Sequence, residues 1–249
     1  MKIVNALRGQ SGRSLLALVL GGAALLGSAI DARAIEAPPT TLDTLLAGGS
    51  ITLGDKRYSG FTFSSSGDAP VTPGEVNVNL STDDLNRYNL RFSFGQDVLA
   101  STAGQSTDVV IGYRVDVLGS QRINGVGLAF NSNIGSGQSP GLAAATVQEI
   151  VRTVDGSDLA PGAPISDTEI IDVFNDGAGG LPDETSTTLA VNPTSSLLFQ
   201  KDILVSSRPA GGRVDISTVD NFVNQVPEPA SAALLAVAGA ALLARRRRA

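Results

Sequence analysis

The sequence predicts an all-β fold, a single β-sandwich or jelly-roll-like domain. Short segments between residues 51 and 219 alternate apolar and polar side chains, which is the period of a strand with one buried face. Clusters of Gly, Ser, Asn, Asp and Pro separate these segments and supply turn chemistry. No repeat of fixed period and no break in composition divides the region, so one domain is expected.

The first element is a short helix over residues 42–47. Thr41 can cap it, its three leucines share one face, and Gly48 and Gly49 end it. The clearest strand is residues 109–117, with four aliphatic side chains and one tyrosine on one face. In order, the strand segments are residues 51–53, 61–63, 76–80, 90–94, 109–117, 126–130, 147–154, 169–174, 187–191, 197–205 and 213–219.

The C-terminal segment has three parts with different physical properties. It begins with Val226-Pro227-Glu228-Pro229, continues as an uncharged apolar run over residues 230–244, and closes with Arg245, Arg246, Arg247 and Arg248. The prolines keep the first part extended, the apolar run favours a transmembrane helix, and the arginines stay on the cytoplasmic side. At about 1.5 Å per residue the run spans roughly 22 Å, less than a hydrocarbon core of about 30 Å. This length favours a transient anchor over the alternative, an ordinary tail anchor.

This order of motif, apolar helix and arginines resembles the PEP-CTERM sorting signal of exported bacterial proteins. In that family an exosortase, a membrane-embedded cysteine protease of transpeptidase type, recognises the Pro-Glu-Pro element. The resemblance implies an exosortase as partner, contact with the inner membrane through the helix, and a cut near residues 226–229.

The N-terminus predicts a secretory signal peptide. Lys2, Arg8 and Arg13 form a positive region, and an uncharged apolar run over residues 15–26 follows. Ala32 and Ala34 then provide small residues at positions −3 and −1 of a cleavage site. The arginines are not adjacent, which favours the general secretory route over the twin-arginine route. An N-terminal membrane anchor is the alternative interpretation.

The predicted domains are therefore a signal peptide (1–34), an exported β-sandwich (35–225) and a sorting signal (226–249). Of the 18 basic and 24 acidic residues of the chain, eight basic and two acidic lie in the terminal segments. The body keeps ten basic and 22 acidic residues, a net charge of −12. Such a surface has no clustered cations to neutralise phosphates, so nucleic acid is not an expected partner.

The chain contains neither cysteine nor histidine. These absences exclude a cysteine nucleophile, a Ser-His-Asp triad, a zinc site and a histidine base within this sequence. Carboxylate chemistry, Ser-Lys chemistry and oxygen-ligand metals such as calcium remain open.

Residues 42–63 are similar to the mature N-terminus of a recurrent group of PEP-CTERM proteins. The similarity rests on a leucine-rich turn, the Gly-Gly-Ser-Ile segment at residues 48–51 and the Gly-Asp-Lys segment at residues 54–56. Asp108, residues 111–115 and Lys201-Asp202-Ile203 also look like this group. The resemblance implies an exported β-domain and no particular chemistry.

One segment partly fits a calcium loop. Asp172, Asp176 and Asp183 fall at positions 1, 5 and 12 of that loop, with Gly177 at position 6. Phe174 occupies a ligand position and the twelfth residue is Asp instead of Glu. An acidic turn after a strand is the alternative interpretation, and no other cofactor is expected.

Other candidate chemistry is limited. Glu75, Glu149 and Glu169 have the right residue type for a pair of catalytic carboxylates, which must face one cleft about 5 to 10 Å apart. Lys56 lies near Ser59, but the tight turn and Arg57 beside it predict that the lysine faces solvent. Carbohydrate binding usually relies on aromatic platforms, whereas this chain has no Trp and its Phe residues lie at core positions of strands.

Three functions follow as hypotheses. The first is a non-enzymatic structural or adhesive protein of the cell surface or exopolysaccharide matrix, processed by an exosortase. The second is a calcium- or carbohydrate-binding module. The third is a carboxylate-dependent hydrolase, which requires two acids in one cleft.

Overall fold

The structure is a computed structural model of the 249-residue chain, and it describes residues 37–83, 87–95, 99–135, 142–154, 168–176 and 185–227. The predicted signal peptide and the apolar C-terminal run lie outside these residues. In the part of the chain that is described, no helix has both the length and the apolar character needed to cross a bilayer.

The described residues form thirteen strands, one short α-helix and one 3-10 helix at Pro73–Glu75. The elements are β1 (Thr40–Thr41), α1 (Leu42–Leu46), β2 (Ile51–Leu53), β3 (Lys56–Gly67), β4 (Val76–Thr82), β5 (Tyr88–Phe94), β6 (Ala100–Ser101), β7 (Ser106–Val117), β8 (Gln121–Ile134), β9 (Ala143–Thr153), β10 (Thr168–Asn175), β11 (Ser186–Thr194), β12 (Ser196–Ser207) and β13 (Val214–Pro227). Each predicted strand segment overlaps one of these strands.

The strands form two antiparallel sheets that pack as a sandwich, which confirms the predicted fold class. Sheet A has the order β1-β4-β5-β13-β8-β11, with β6 also paired to β13. Sheet B has the order β10-β9-β12-β7-β3-β2. Strand β13 is therefore central in sheet A, and β12 and β7 are central in sheet B.

The core fills the space between the sheets with side chains from alternate strand positions. In β7, Val109, Ile111, Tyr113 and Val115 all point inward and are buried. The same alternation supplies inward residues from β5, β9, β12 and β13, as expected for strands that each have one face in a sandwich core.

Helix α1 begins and ends close to where the sequence predicts. Thr41 is its N-cap residue, but the hydroxyl lies 3.2 Å from Oγ1 of Thr44 and makes no capping bond to the backbone. Leu42 and Leu45 are buried in the core. Gly48, with φ of 90°, ends the helix in a conformation that favours glycine.

Strand β3 contains an irregularity in its pairing with β7. Its register against β7 shifts between Ser59 and Thr62, and Gly60 within the shift has φ of 65°. A glycine with positive φ is characteristic of a β-bulge. At the other end of the strand, Gly67 has φ of 108°, and a Cβ there would lie 2.3 Å from the carbonyl oxygen of Ser106.

We expect Gly67→Ala to lower the free energy of unfolding by about 3 kcal/mol, since backbone strain and overpacking against fixed atoms each cost roughly 1–3 kcal/mol. Gly60→Ala is the matched control, because Gly60 also has positive φ but open space around its Cβ position. Its cost should stay near 1–2 kcal/mol. Chemical denaturation measures both. Equal costs would contradict the close contact at Gly67.

Candidate functional site

The strand that precedes the sorting segment is held inside sheet A. Strand β13 pairs with β8 through Gln225, Val226 and Pro227, the last opposite Gln121. Val226 and Pro227 therefore belong to the ladder, although the sequence places them in the sorting signal. Glu228, Pro229 and the four arginines, Arg245 to Arg248, lie outside the described residues, as do Ala32 and Ala34 of the signal-cleavage site. The folded domain continues into the Pro-Glu-Pro motif with no intervening linker.

A buried lysine fixes the chain two residues before that motif. Nζ of Lys56 donates to Oδ1 of Asp55 at 2.7 Å and also to Oε1 of Gln225. The same Nζ lies 4.8 Å from the centre of the Tyr88 ring. Burial lowers the pKa of Lys56, and the hydrogen bond with Asp55 opposes that shift.

The prediction that Lys56 faces solvent is wrong, because its side chain is 0% exposed. The turn at Gly54 and Asp55 makes Lys56 the first residue of β3, and strand alternation then directs it inward. Arg57 takes the outward position and pairs with Asp116 at 3.1 Å. The adjacent basic residues thus lie on opposite faces of one strand.

A second polar cluster lies between the two sheets, and we call it the interior polar cluster: Tyr113, Glu149, Lys201 and Asn221. Tyr113, Glu149 and Lys201 come from β7, β9 and β12 of sheet B, whereas Asn221 comes from β13 of sheet A. Glu149, Lys201 and Asn221 are completely buried, and Tyr113 is nearly so.

Hydrogen bonds join these four side chains into one network. Nδ2 of Asn221 donates to Oε1 of Glu149 at 2.8 Å and to the carbonyl oxygen of Gly127 at 3.0 Å. Nζ of Lys201 donates to Oε2 of Glu149, and the Tyr113 hydroxyl donates to Oδ1 of Asn221. The Glu149 carboxylate thus holds an amine on one oxygen and an amide nitrogen on the other.

The surroundings of the cluster are aromatic. The Tyr113 ring stacks on Phe199 at 5.1 Å and on Phe61 at 5.7 Å, and it also contacts Phe92 and Tyr58. In this apolar environment, burial lowers the pKa of Lys201 well below its usual value and raises the pKa of Tyr113. An amine in such a site loses its proton more readily than one in water.

The sequence carries a signal for this cluster in the alternation of three strands. Glu149 lies between Val147 and Val151, Lys201 between Phe199 and Ile203, and Asn221 between Val219 and Val223. Each polar residue therefore occupies a core position of an alternating strand. Three such positions in three strands predict buried polar partners, because an unpaired buried charge is costly.

The candidate catalytic carboxylates do not share a cleft among the described residues. Glu149 is sealed in the core. Glu75 lies in the 3-10 helix before β4, where its carboxylate forms a capping box with Thr72, and Glu169 lies on β10. Two other acidic residues, Asp108 and Asp202, are neighbours on the outer face of sheet B. Burial raises the pKa of Asp108, and the neighbouring Asp202 raises it further.

The calcium candidates are only partly described. Asp172 is exposed on β10, Asp176 directly follows that strand, and Asp183 lies outside the described residues. Within residues that the structure describes, no group of three or more acidic side chains is arranged to hold a metal. The calcium interpretation stays a prediction.

The outer face of sheet B carries a shallow depression of about 220 Å³. Gly112 lies at its floor, and a Cβ there would be 2.4 Å from Oγ1 of Thr62. The rim combines apolar side chains with hydrogen-bond donors, and Leu198 is 40% exposed. Its lining residues are Gly60, Thr62, Gly112, Tyr113, Ile150, Arg152, Leu198, Phe199 and Gln200.

The fold and the C-terminal segment together define a β-sandwich protein with a tail for sorting. Residues 225–248 match the family model of the PEP-CTERM protein-sorting motif. The chain therefore carries this motif, which indicates an exported protein that is sorted to the cell envelope as an exosortase substrate. The match covers the tail and leaves the activity of the sandwich unassigned.

Comparisons over the sandwich are weak. The search of curated proteins finds no match. The carbohydrate-binding module TmCBM61 in complex with beta-1,4-galactotriose is 13% identical with a TM-score of 0.30, over 65% of this chain and 88% of that one. The mannan-recognising module TmCBM27 is 8% identical with a TM-score of 0.24, over 78% and 99%. A family two carbohydrate esterase from Cellvibrio japonicus is 13% identical with a TM-score of 0.20, over 68% and 36%. Similarity at this level supports no functional assignment.

Proposed function

We propose that this protein is a non-enzymatic structural or adhesive component of the cell surface, associated with exopolysaccharide. The general secretory route exports it, the C-terminal helix holds it transiently in the inner membrane, and an exosortase then processes it. The observation that carries the proposal is the sorting motif at residues 225–248, which begins inside the last strand of the sandwich. The part of the protein that the sorting signal delivers is therefore the β-sandwich domain.

The composition of the domain is compatible with this role. A net charge of −12 over residues 35–226 keeps the domain soluble and disfavours binding to anionic lipid surfaces. The interior polar cluster joins the two sheets by hydrogen bonds across the core. A rigid, highly charged sandwich suits an extracellular scaffold.

The test is to change the motif and locate the protein. We expect Glu228→Ala to leave the protein in the inner-membrane fraction, whereas the wild type reaches the cell surface or matrix. Pro209→Ala, in an exposed turn, is the matched control and should be sorted normally. Surface delivery of Glu228→Ala at the wild-type level would contradict the proposal.

The depression on sheet B favours carbohydrate binding as a second candidate function. Arg152, Gln200 and Thr62 offer hydrogen-bond donors beside the exposed Leu198, a combination that suits a sugar with polar edges and apolar faces. Under this candidate, Arg152→Ala weakens retention of the protein on its host's purified exopolysaccharide. Arg213→Ala, outside the depression, should leave retention unchanged. Equal retention of all three proteins would exclude this face.

A further inference from the structure

The interior polar cluster brings together a buried amine, a carboxamide and a carboxyl group. The Glu149 carboxylate contacts Nζ of Lys201 with one oxygen and Nδ2 of Asn221 with the other. The Tyr113 hydroxyl donates to Oδ1 of the same carboxamide. No step proposed for sorting uses these groups.

We propose that Lys201 and Asn221 react within the folded domain to form an amide cross-link between their side chains, with Glu149 as the catalytic acid and base. The cross-link joins β12 of sheet B to β13 of sheet A. It is a covalent modification site in a chain that has no cysteine for disulfides.

The protonation states suit the reaction. The charged forms of Lys201 and Glu149 are both fully buried, so transfer of the lysine proton to the carboxylate removes two charges from the core. Burial also lowers the pKa of Lys201, which favours the free amine. The neutral amine is the nucleophile that amide formation needs.

In the reaction, the amine of Lys201 replaces the amino group of the Asn221 carboxamide. Nζ of Lys201 attacks Cγ of Asn221, and a new N–C bond forms while negative charge develops on Oδ1. The Tyr113 hydroxyl stabilises that charge, as an oxyanion-hole donor does. Glu149 accepts a proton from Nζ and gives its own to Nδ2, the Cγ–Nδ2 bond breaks, and ammonia leaves. No oxidant or reductant takes part, and Glu149 ends protonated.

The arrangement is preorganised by the fold. Each reacting group comes from a central strand, and Asn221 is oriented by three hydrogen bonds, to Glu149, Tyr113 and the Gly127 carbonyl. Such orientation turns a slow bimolecular step into a fast intramolecular one. The product closes a loop over residues 201–221, which restricts the unfolded chain as a disulfide would.

Lys56 provides an internal comparison. It is a buried lysine that also contacts a carboxamide, through Oε1 of Gln225. Its carboxylate partner, Asp55, contacts Nζ at 2.7 Å, and the bridge between amine and amide nitrogen seen at Glu149 is not among the contacts of this group. We therefore expect the reaction at Lys201 and not at Lys56.

Mass spectrometry of the purified full-length protein tests the proposal. We expect an intact mass about 17 Da below the mass calculated for the same termini, because one ammonia is lost. Tryptic digestion should give a branched peptide joining Lys201 to Asn221, with no cleavage after Lys201. A wild-type protein of unchanged mass would overturn the proposal. So would a deficit without the branched peptide, which a succinimide would produce.

Substitutions assign the roles. Glu149→Gln should abolish the mass deficit, Tyr113→Phe should slow its appearance in newly synthesised protein, and Lys56→Arg should leave it unchanged. The wild-type measurement decides the proposal even where Glu149→Gln does not fold. Retention of the full deficit in a folded Glu149→Gln protein would remove Glu149 from the reaction.

Discussion

Replacing Tyr113 by alanine is expected to lower the free energy of unfolding by about 4 kcal/mol. Loss of a buried aromatic ring costs roughly 3–5 kcal/mol, since a cavity remains. The Tyr113 ring is 2% exposed and lies among the aromatic residues of both sheets, including Phe199, Phe61 and Phe92. Removal of its hydroxyl also takes a donor from Oδ1 of Asn221.

Denaturant titration of wild type and variant measures this cost. Tyr113→Phe separates the hydroxyl from the ring, and we expect it to lose about 1–3 kcal/mol, the cost of a buried acceptor without its donor. Leu118→Ala is the surface control, because Leu118 is 55% exposed and such changes stay within about 0.5 kcal/mol. A Tyr113→Ala cost below about 1 kcal/mol would contradict the packing of the core.

Stability is expected to rise with pH to a maximum near pH 10, below the lysine pKa of 10.5, and to fall steeply above it. Burial lowers the pKa of Lys56 and Lys201 in the folded chain, so the unfolded chain binds more protons and stability increases up to the lysine pKa of 10.5. Lys201 contributes to this pH dependence only in molecules in which its amine has not formed the proposed amide. Burial raises the pKa of Tyr58 and Tyr113 above the usual 10.0, so above that pH the unfolded chain binds fewer protons and stability decreases.

Thermal or denaturant unfolding between pH 7 and 12 measures this profile. Tyr58 and Tyr113 together should give the falling limb a slope of about 2.7 kcal/mol per pH unit, since each proton contributes about 1.36 kcal/mol. The pKa of Tyr88 is also raised, mainly by burial, and adds to this slope. Tyr58→Phe should reduce the slope by about 1.36 kcal/mol per pH unit. It should cost nothing at pH 7, because the Tyr58 hydroxyl is buried and makes no hydrogen bond with the described residues. A flat profile above pH 10 would show that the tyrosines titrate freely in the folded domain.

The β-sandwich fold can be predicted from the sequence because the alternation of apolar and polar residues is a local signal. The period of two places Val109, Ile111 and Val115 inward whatever strand lies beside them. Partners across the sheets are not local. The contact between β7 and β13 that joins Tyr113 to Asn221 spans 108 residues, and nothing near either residue specifies the other.

The polar residues of the core show where local interpretation is insufficient. Lys56 beside Arg57 has the appearance of surface charge, and only the register of β3 reveals that one points inward. Glu149 has the residue type of a catalytic acid, yet its position in β9 removes it from any cleft and pairs it with Lys201. Residue type predicts the available chemistry, whereas strand register decides whether each group is exposed to water and which partners it contacts.

The central claim is that an exosortase processes this exported sandwich. The direct measurement is the intact mass of the protein recovered from its host, with and without a working exosortase. We predict a species that begins at Ile35 and ends near the Pro-Glu-Pro motif, formed only when the exosortase is present. A species that retains Arg245 to Arg248 in both strains would mean a permanent membrane anchor and would contradict the proposed function.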